Sequence, residues 1–264
     1  MAAHKPTVAV YKFSSCDGCQ LSLLNMEDEL LDLAGAVDIA MFLEATRAEK
    51  PGPYEIGIVE GSITTPHEIE RIQEIRRQCK IVIALGTCAT SGGIQALRNF
   101  ADADDYANIV YAHPEFLHYL KTSKPISEYV QVDHELCGCP VNKAQVIEVI
   151  VALLNGRKPN LPSYPVCMEC KRRGTVCVLV DKGIPCLGPG TIAGCGAICP
   201  ANGRGCYGCF GPIREPNTES LTSILQKVER YPGEAARLYR GFSGYAPAFR
   251  KAADAILEGG REKK

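Results

Sequence analysis

The chain has 264 residues, enough for one large or two modest domains with real cores. Hydrophobic residues make up 46% and charged residues 22%, and a net charge of −1 offers no overall field for nucleic acid or an anionic membrane. No apolar run approaches the roughly 20 residues of a membrane span. The N-terminal MAAHKPTVAVYKF has no basic segment followed by an apolar stretch and no twin-Arg pair, which predicts a cytoplasmic protein.

Residues 7–13 (TVAVYKF) are an apolar, β-branched run that predicts a first strand. The turn SSCDGC follows, and residues 20–33 then place Leu21, Leu24, Leu30 and Leu31 at helical spacing. A second strand is predicted over 37–43 and a third over 54–59, closing on Glu60-Gly61-Ser62. Residues 66–78 read as an amphipathic helix with Pro66 in its first turn and Ile69, Ile72 and Ile75 on one side. Residues 80–85 (KIVIAL) predict a strand buried on both faces, and it runs into GTCATSGG. Strands alternating with helices predict an α/β fold, a flavodoxin-like doubly wound parallel sheet. Ligands of such sheets sit at the carboxyl ends of the strands. Cys16, Cys19, Glu60 and Cys88 all fall at such ends.

Further on, residues 107–112 predict a strand, 115–121 a short helix and 129–132 another strand leading to LCGCP. Residues 144–154 predict a buried helix stopped by Asn155-Gly156. Pro159, Pro162 and Pro165 mark a linker. The predicted division is therefore a sheet domain over 1–158 and an irregular, cysteine-rich domain over 159–264. Helices are predicted over 220–230 and 247–257, and the Lys/Glu-rich tail is expected to fray.

Eight of the 14 cysteines fall between Cys167 and Cys209, in a stretch punctuated by Gly and Pro with no helix or strand of useful length. Ordering such a stretch costs about 1–2 kcal/mol of backbone entropy per residue, which apolar burial there cannot offset. The cysteines are the available staple. A reducing compartment disfavours disulfides, and the two-residue gaps of Cys16/Cys19, Cys167/Cys170 and Cys206/Cys209 suit two ligands on one metal centre. Three sets of four emerge: Cys167, Cys170, Cys177 and Cys186; Cys195, Cys199, Cys206 and Cys209; and Cys16, Cys19, Cys88 and Cys139 from the sheet domain. Four thiolates serve tetrahedral zinc or a 4Fe–4S cluster. The three-residue gap before Cys199 and the Cys199-Pro200 pair favour clusters over zinc ribbons. The partition of the eight is a choice, because two-cluster ferredoxins cross their ligands between runs.

Individual residues carry rival readings. Cys88 is either a small buried hydrophobe or a ligand; flanking glycines that let backbone amides approach its sulfur favour the ligand. Cys79 reads as a plain core or surface thiol. Cys137 competes with Cys139, which is preferred for the proline after it. Glu60 is either a hydrogen-bonded residue of the sheet rim or a polar group on a proton path beside a metal centre. The five histidines have no metal-like spacing, and no catalytic nucleophile–base pair can be argued.

Cys16-Asp17-Gly18-Cys19, Glu60-Gly61-Ser62, Gly86-Thr87-Cys88-Ala89, Gly138-Cys139-Pro140 and the downstream CLGPGTIAGCGAICPANGRGCYGC together resemble the small subunit of nickel–iron hydrogenases. The core is also similar to a cluster-binding subunit of respiratory complex I, and within the family the chain looks most like the cytoplasmic branch that includes sulfhydrogenase delta subunits. The resemblance implies three 4Fe–4S clusters: a proximal one on Cys16, Cys19, Cys88 and Cys139, a medial one on Cys195, Cys199, Cys206 and Cys209, and a distal one on Cys167, Cys170, Cys177 and Cys186. It implies an electron-transfer role beside a nickel–iron large subunit that holds the active site, with flavin or iron–sulfur diaphorase-type subunits and NAD(P) or a similar acceptor beyond. It departs from membrane-bound relatives, which carry His and Pro where Cys167 and Cys199 stand, and a proton-transferring Glu where Leu21 or Gln20 stands. Val141 replaces a common second proline. Two rival readings are an electron-transfer subunit of a heterodisulfide reductase-linked or complex I-like assembly, and a flavodoxin-like module with structural zinc.

Overall fold

Five strands, β1 (Thr7–Lys12), β2 (Asp38–Phe42), β3 (Tyr54–Glu60), β4 (Cys79–Leu85) and β5 (His134–Leu136), form one parallel sheet in the order β2-β1-β3-β4-β5. The computed structural model describes residues 4–261. It divides into two units, one ending at Asn160 and the next beginning at Leu161. The strand order is the flavodoxin-like doubly wound one, whose direction of winding reverses between β1 and β3. The middle strands are near-continuous apolar runs because helices cover both faces: Ile56, Ile58 and Val59 of β3 and Val82, Ile83, Ala84 and Leu85 of β4 are all buried.

The helix α3 (Pro66–Gln78) begins with a capping box. Thr65 Oγ1 accepts the Glu68 N–H at 3.3 Å, and the Glu68 carboxylate accepts the Thr65 N–H at 2.9 Å. Both donors would otherwise lack a partner. Ile72 and Ile75 pack onto the sheet. The helix α6 (Lys143–Leu154) buries Val146, Val149 and Ile150.

Between β1 and β2 the chain forms two helices, α1 (Gly18–Leu24) and α2 (Asp28–Ala36), instead of the single predicted helix. The break lies at residues 25–27, where Glu27 takes φ 53°. Leu23, Met26 and Leu33 are buried before, within and after it, so apolar spacing could not reveal it. Residues 107–110 of the strand predicted at 107–112 are the last turn of the helix α5 (Ala103–Val110). Asp102 caps it by accepting the Asp104 N–H at 2.9 Å, with Asp104 and Asp105 in the first turn. The β-branched pair Ile109-Val110 suggested a strand but lies exposed on the helix. The predicted helix at 115–121 is only a 3₁₀ turn at Pro114–Phe116. The predicted strand at 129–132 is not in the sheet, which the chain joins only at His134. Asp133 fixes that entry point, accepting the Val82 N–H at 2.8 Å and pairing with Arg76 at 2.6 Å.

In the second unit the cysteine-rich stretch holds three short helices, α7 (Val166–Arg172), α8 (Val178–Lys182) and α9 (Ile198–Ala201). After it come α10 (Thr218–Lys227), α11 (Glu234–Tyr239) and α12 (Pro247–Arg261). The sequence reading missed α11, although Pro232-Gly233 and the apolar residues after it mark its start. Leu221, Leu225, Ala235, Tyr239 and Phe249 form a buried core with Leu187 from the cysteine-rich stretch. The end of the Lys/Glu-rich tail, residues 262–264, lies outside the described residues.

Candidate functional site

The loops that leave β1, β3, β4 and β5 are tied to one another at the carboxyl edge of the sheet. Ser14 and Ser62 exchange backbone hydrogen bonds, Ser14 N–H to Ser62 O at 3.2 Å and Ser62 N–H to Ser14 O at 2.9 Å. Thr87 N–H donates to Gly138 O at 2.9 Å, and Thr87 Oγ1 accepts the Gly138 N–H at 3.3 Å. Ser123, fully buried, donates to Ser62 Oγ at 2.9 Å and lies 3.1 Å from Gly92 O, linking the two halves. Three of these connections carry the predicted ligands: Cys16 and Cys19 follow β1, Cys88 lies in α4 (Gly86–Ser91) after β4, and Cys139 follows β5.

The structure brings these four thiols within electrostatic reach of one another. Burial, opposed by a hydrogen bond to Gln95 and supported by Cys139 and Cys16, pushes the Cys88 thiol up to about 11. Burial likewise raises Cys19, with Glu60, Cys88 and Cys139 adding to it, and raises Cys139, with Cys16 and Glu60 adding. Among the described residues, no group of three or more His, Cys, Asp or Glu side chains closes around a single ion. The thiols are neighbours without converging on one point.

Two glycines keep space at these sulfurs. A Cβ on Gly86, at φ +83°, would collide with Cys19 Sγ, and one on Gly93, at φ +65°, would stand 2.6 Å from Cys88 Sγ. Both positions also need a backbone conformation that L side chains rarely adopt. Three thiols raised by burial and by their neighbours, Cys19, Cys88 and Cys139, with Cys16 beside them and side chains kept off the Cys19 and Cys88 sulfurs, fit a cationic iron–sulfur centre.

Glu60 is 1% exposed at the end of β3. Its Oε1 accepts the Cys19 N–H at 3.0 Å and its Oε2 accepts from Gln20 Nε2 at 2.9 Å. Burial raises its pKa above the ordinary carboxylate value against these two bonds, and Asp17 raises it further. It is therefore both hydrogen-bonded at the rim and in contact with a ligand loop. Sequence reasoning missed Gln95, whose Oε1 accepts from Cys88 Sγ at 3.6 Å and whose amide donates to Ser14 O. Nothing in the local sequence marks it.

In the second unit, Cys167 and Cys170 lie on α7, Cys177 caps α8 and Cys186 follows it. Burial pushes Cys167 up to about 11, with Cys186, Cys170 and Cys177 adding to it, so the four are gathered. The other four meet as two halves, Cys195 near Cys199 and Cys206 near Cys209, and Cys186 lies near both Cys199 and Cys206. Backbone amides reach the sulfurs here: Cys206 N–H donates to Cys186 Sγ at 3.1 Å and Gly208 N–H to Cys206 Sγ at 3.4 Å. Glu169 organises the loop of Cys195. Its carboxylate accepts the Gly194 N–H at 2.9 Å and the Ala197 N–H at 3.1 Å. Its place inside the Cys167-Met168-Glu169-Cys170 run was the signal that could have found it.

The two cysteines left out of the sets sit elsewhere. Cys79 is buried at the start of β4 in space left by Gly57, where a Cβ would stand 2.6 Å from its sulfur. Cys137 is pushed up to about 11 by burial and has Thr90 and Glu135 as polar neighbours.

The family model for the NADH ubiquinone oxidoreductase 20 kDa subunit matches residues 16–153. Sulfhydrogenase 2 subunit delta of Pyrococcus furiosus is 37% identical over 84% of this chain and 92% of its own. NAD-reducing hydrogenase HoxS subunit delta of Cupriavidus necator is 32% identical over 60% of this chain and 83% of its own. Among solved structures, a chain of an NAD+-reducing [NiFe]-hydrogenase in the H2-reduced state superposes with a TM-score of 0.56 at 28% identity, over 60% of this chain and 96% of that one.

Proposed function

The chain belongs to the family of the NADH ubiquinone oxidoreductase 20 kDa subunit and the small subunits of nickel–iron hydrogenases, and on that footing we propose that it relays electrons through three 4Fe–4S clusters within a hydrogenase. It is an electron-transfer subunit of an oxidoreductase. In this reading dihydrogen is activated on a nickel–iron large subunit, and the far end of the relay serves a flavin or iron–sulfur diaphorase-type partner using NAD(P) or a similar acceptor. The observation that carries the reading is the meeting of Cys16, Cys19, Cys88 and Cys139, from three separate strand ends, at one edge of the sheet.

Those four residues would hold the proximal cluster, Cys195, Cys199, Cys206 and Cys209 the medial one, and Cys167, Cys170, Cys177 and Cys186 the distal one. A bound 4Fe–4S cluster supplies one-electron transfer at a potential set by charge, hydrogen bonding and exposure. The chain's own part is to place and tune. Glu60 fixes the Cys19 amide, Gly86 and Gly93 keep side chains off the sulfurs, and the Cys206 and Gly208 amides donate to thiolates. Glu60 is also the group we assign to proton movement. The buried amide of Gln20 beside it cannot carry a proton, so a path here uses the Glu60 carboxyl itself. No helix among the described residues is long and apolar enough to cross a membrane, and we place the complex in the cytoplasm.

Anaerobic purification with the partner subunits tests the reading. About 12 iron and a matching amount of acid-labile sulfide per chain, with a broad brown absorption, are expected. Three zinc ions and a colourless protein would overturn it.

A further inference from the structure

Gln95 joins two ligand loops that lie far apart in the chain. Its Oε1 accepts from Cys88 Sγ at 3.6 Å, and its Nε2 donates to Ser14 O, two residues before Cys16. The side chain is half-buried, and the backbone beside it leaves room for the contact. Gly92 and Gly93 take φ +76° and +65°, where α4 gives way to the 3₁₀ turn Ile94–Phe100. A Cβ on Gly93 would stand 2.6 Å from Cys88 Sγ and 2.7 Å from Gln95 Oε1, so this glycine keeps both atoms of the contact clear.

The contact as it stands uses the Cys88 thiol proton, because an amide oxygen only accepts. Binding a metal sends that proton to solvent and leaves a sulfur that also only accepts. Two acceptors would then face each other in a half-buried site, which is unfavourable. A glutamine has a way out that a carboxylate or an aliphatic side chain lacks: its amide can turn and present an N–H of Nε2 in place of Oε1. Ser14 O does not depend on Nε2, since it also accepts the Ser62 N–H at 2.9 Å and Ser62 Oγ at 3.3 Å.

We propose that Gln95 is a positioning residue for the centre on Cys16, Cys19, Cys88 and Cys139: its amide turns when Cys88 becomes a ligand, donates to the Cys88 sulfur and raises the potential of that centre. The inference rests on the reading of those four cysteines as one cluster's ligands. Each one-electron reduction, with the electron drawn from dihydrogen on the partner subunit, adds one negative charge to the centre, and the Gln95 amide keeps its protons throughout. An N–H aimed at a ligand sulfur favours the more negative, reduced form and so eases the arrival of the electron.

The test is an anaerobic redox titration of the complete complex, followed by electron paramagnetic resonance, on the parent, Gln95→Leu and Gln95→Glu. Leucine removes the donor, and glutamate puts a negative charge in its place. In Gln95→Leu one cluster should become harder to reduce by about tenfold in its one-electron equilibrium, a fall of about 59 mV, and in Gln95→Glu it should fall further, while the other two clusters stay where they are. A purely structural strut would not order the variants this way. In the parent, glutamine labelled with nitrogen-15 at its side-chain amide should couple magnetically to one reduced cluster, a readout that stands even where a variant fails to load iron. The proposal fails if the parent shows no such coupling, or if a loaded variant keeps the parent potentials or shifts them upward. Iron and acid-labile sulfide are measured on the same preparations. Their absence from the parent sinks the cluster reading, whereas full clusters with no coupling or with unmoved potentials sink the role of Gln95 alone.

Discussion

The buried carboxylate of Glu60 accepts the backbone N–H of Cys19 at 3.0 Å. One end of β3 thereby sets the orientation of a residue that follows β1. Glu60→Ala should leave this N–H and the Gln20 amide without partners inside the protein. A loss of about 1–3 kcal/mol of unfolding free energy is expected, with Glu60→Gln losing less because its amide oxygen still accepts from Cys19. Denaturant unfolding of the two variants checks the order; equal losses would mean that the charge, and not the acceptor, matters.

Gly86→Ala is expected to act locally. The new Cβ meets Cys19 Sγ, in a left-handed conformation that alanine tolerates poorly. About four of about 12 iron should be lost, corresponding to one cluster. Metal analysis with electron paramagnetic resonance reads this directly. Retention of full iron would show that the sulfur can be repositioned.

Glu169 offers the equivalent test in the second unit. Glu169→Ala removes the acceptor for the Gly194 and Ala197 amides and is expected to cost about 1–3 kcal/mol. It should loosen the loop of Cys195 and lower iron content. Glu169→Gln, which keeps one acceptor oxygen, should recover part of both.

Removing iron should separate the two units. Sheet residues have an apolar core of their own, including Tyr11, Val59, Ile72 and Val82. Residues 167–209 have only short helices and a small apolar cluster that includes Val178, Leu179 and Ala197. Iron removal, or Cys186→Ser or Cys206→Ser, is expected to open this stretch to protease while residues 4–160 stay protected. Cys79→Ala and Cys137→Ala, by contrast, should keep full iron content. Uniform cleavage across both units after iron removal would contradict the first expectation.

The first four strands were legible because each holds an apolar run, and the proposed ligand positions were read from strand ends and short-spaced pairs. Cys139 was proposed from the turn around it, and its strand, β5, is only three residues long. What was illegible depends on contacts between distant residues. The break at Glu27 leaves the apolar spacing unchanged. The late entry of β5 is set by Asp133 meeting Val82 and Arg76, 51 and 57 residues away. Gln95 reaches Ser14 across 81 residues. The helix α5 was misread because Ile109 and Val110 favour strands while the cap at Asp102 decides the outcome.

The four cysteines of the sheet edge are spread from position 16 to position 139, and the last follows β5, which pairs with β4. No shorter piece of the chain contains the set. A metal centre built there would be a receipt for a finished sheet: a mispaired chain would have nowhere to put it, so loading with iron would select the correctly folded molecules from the rest.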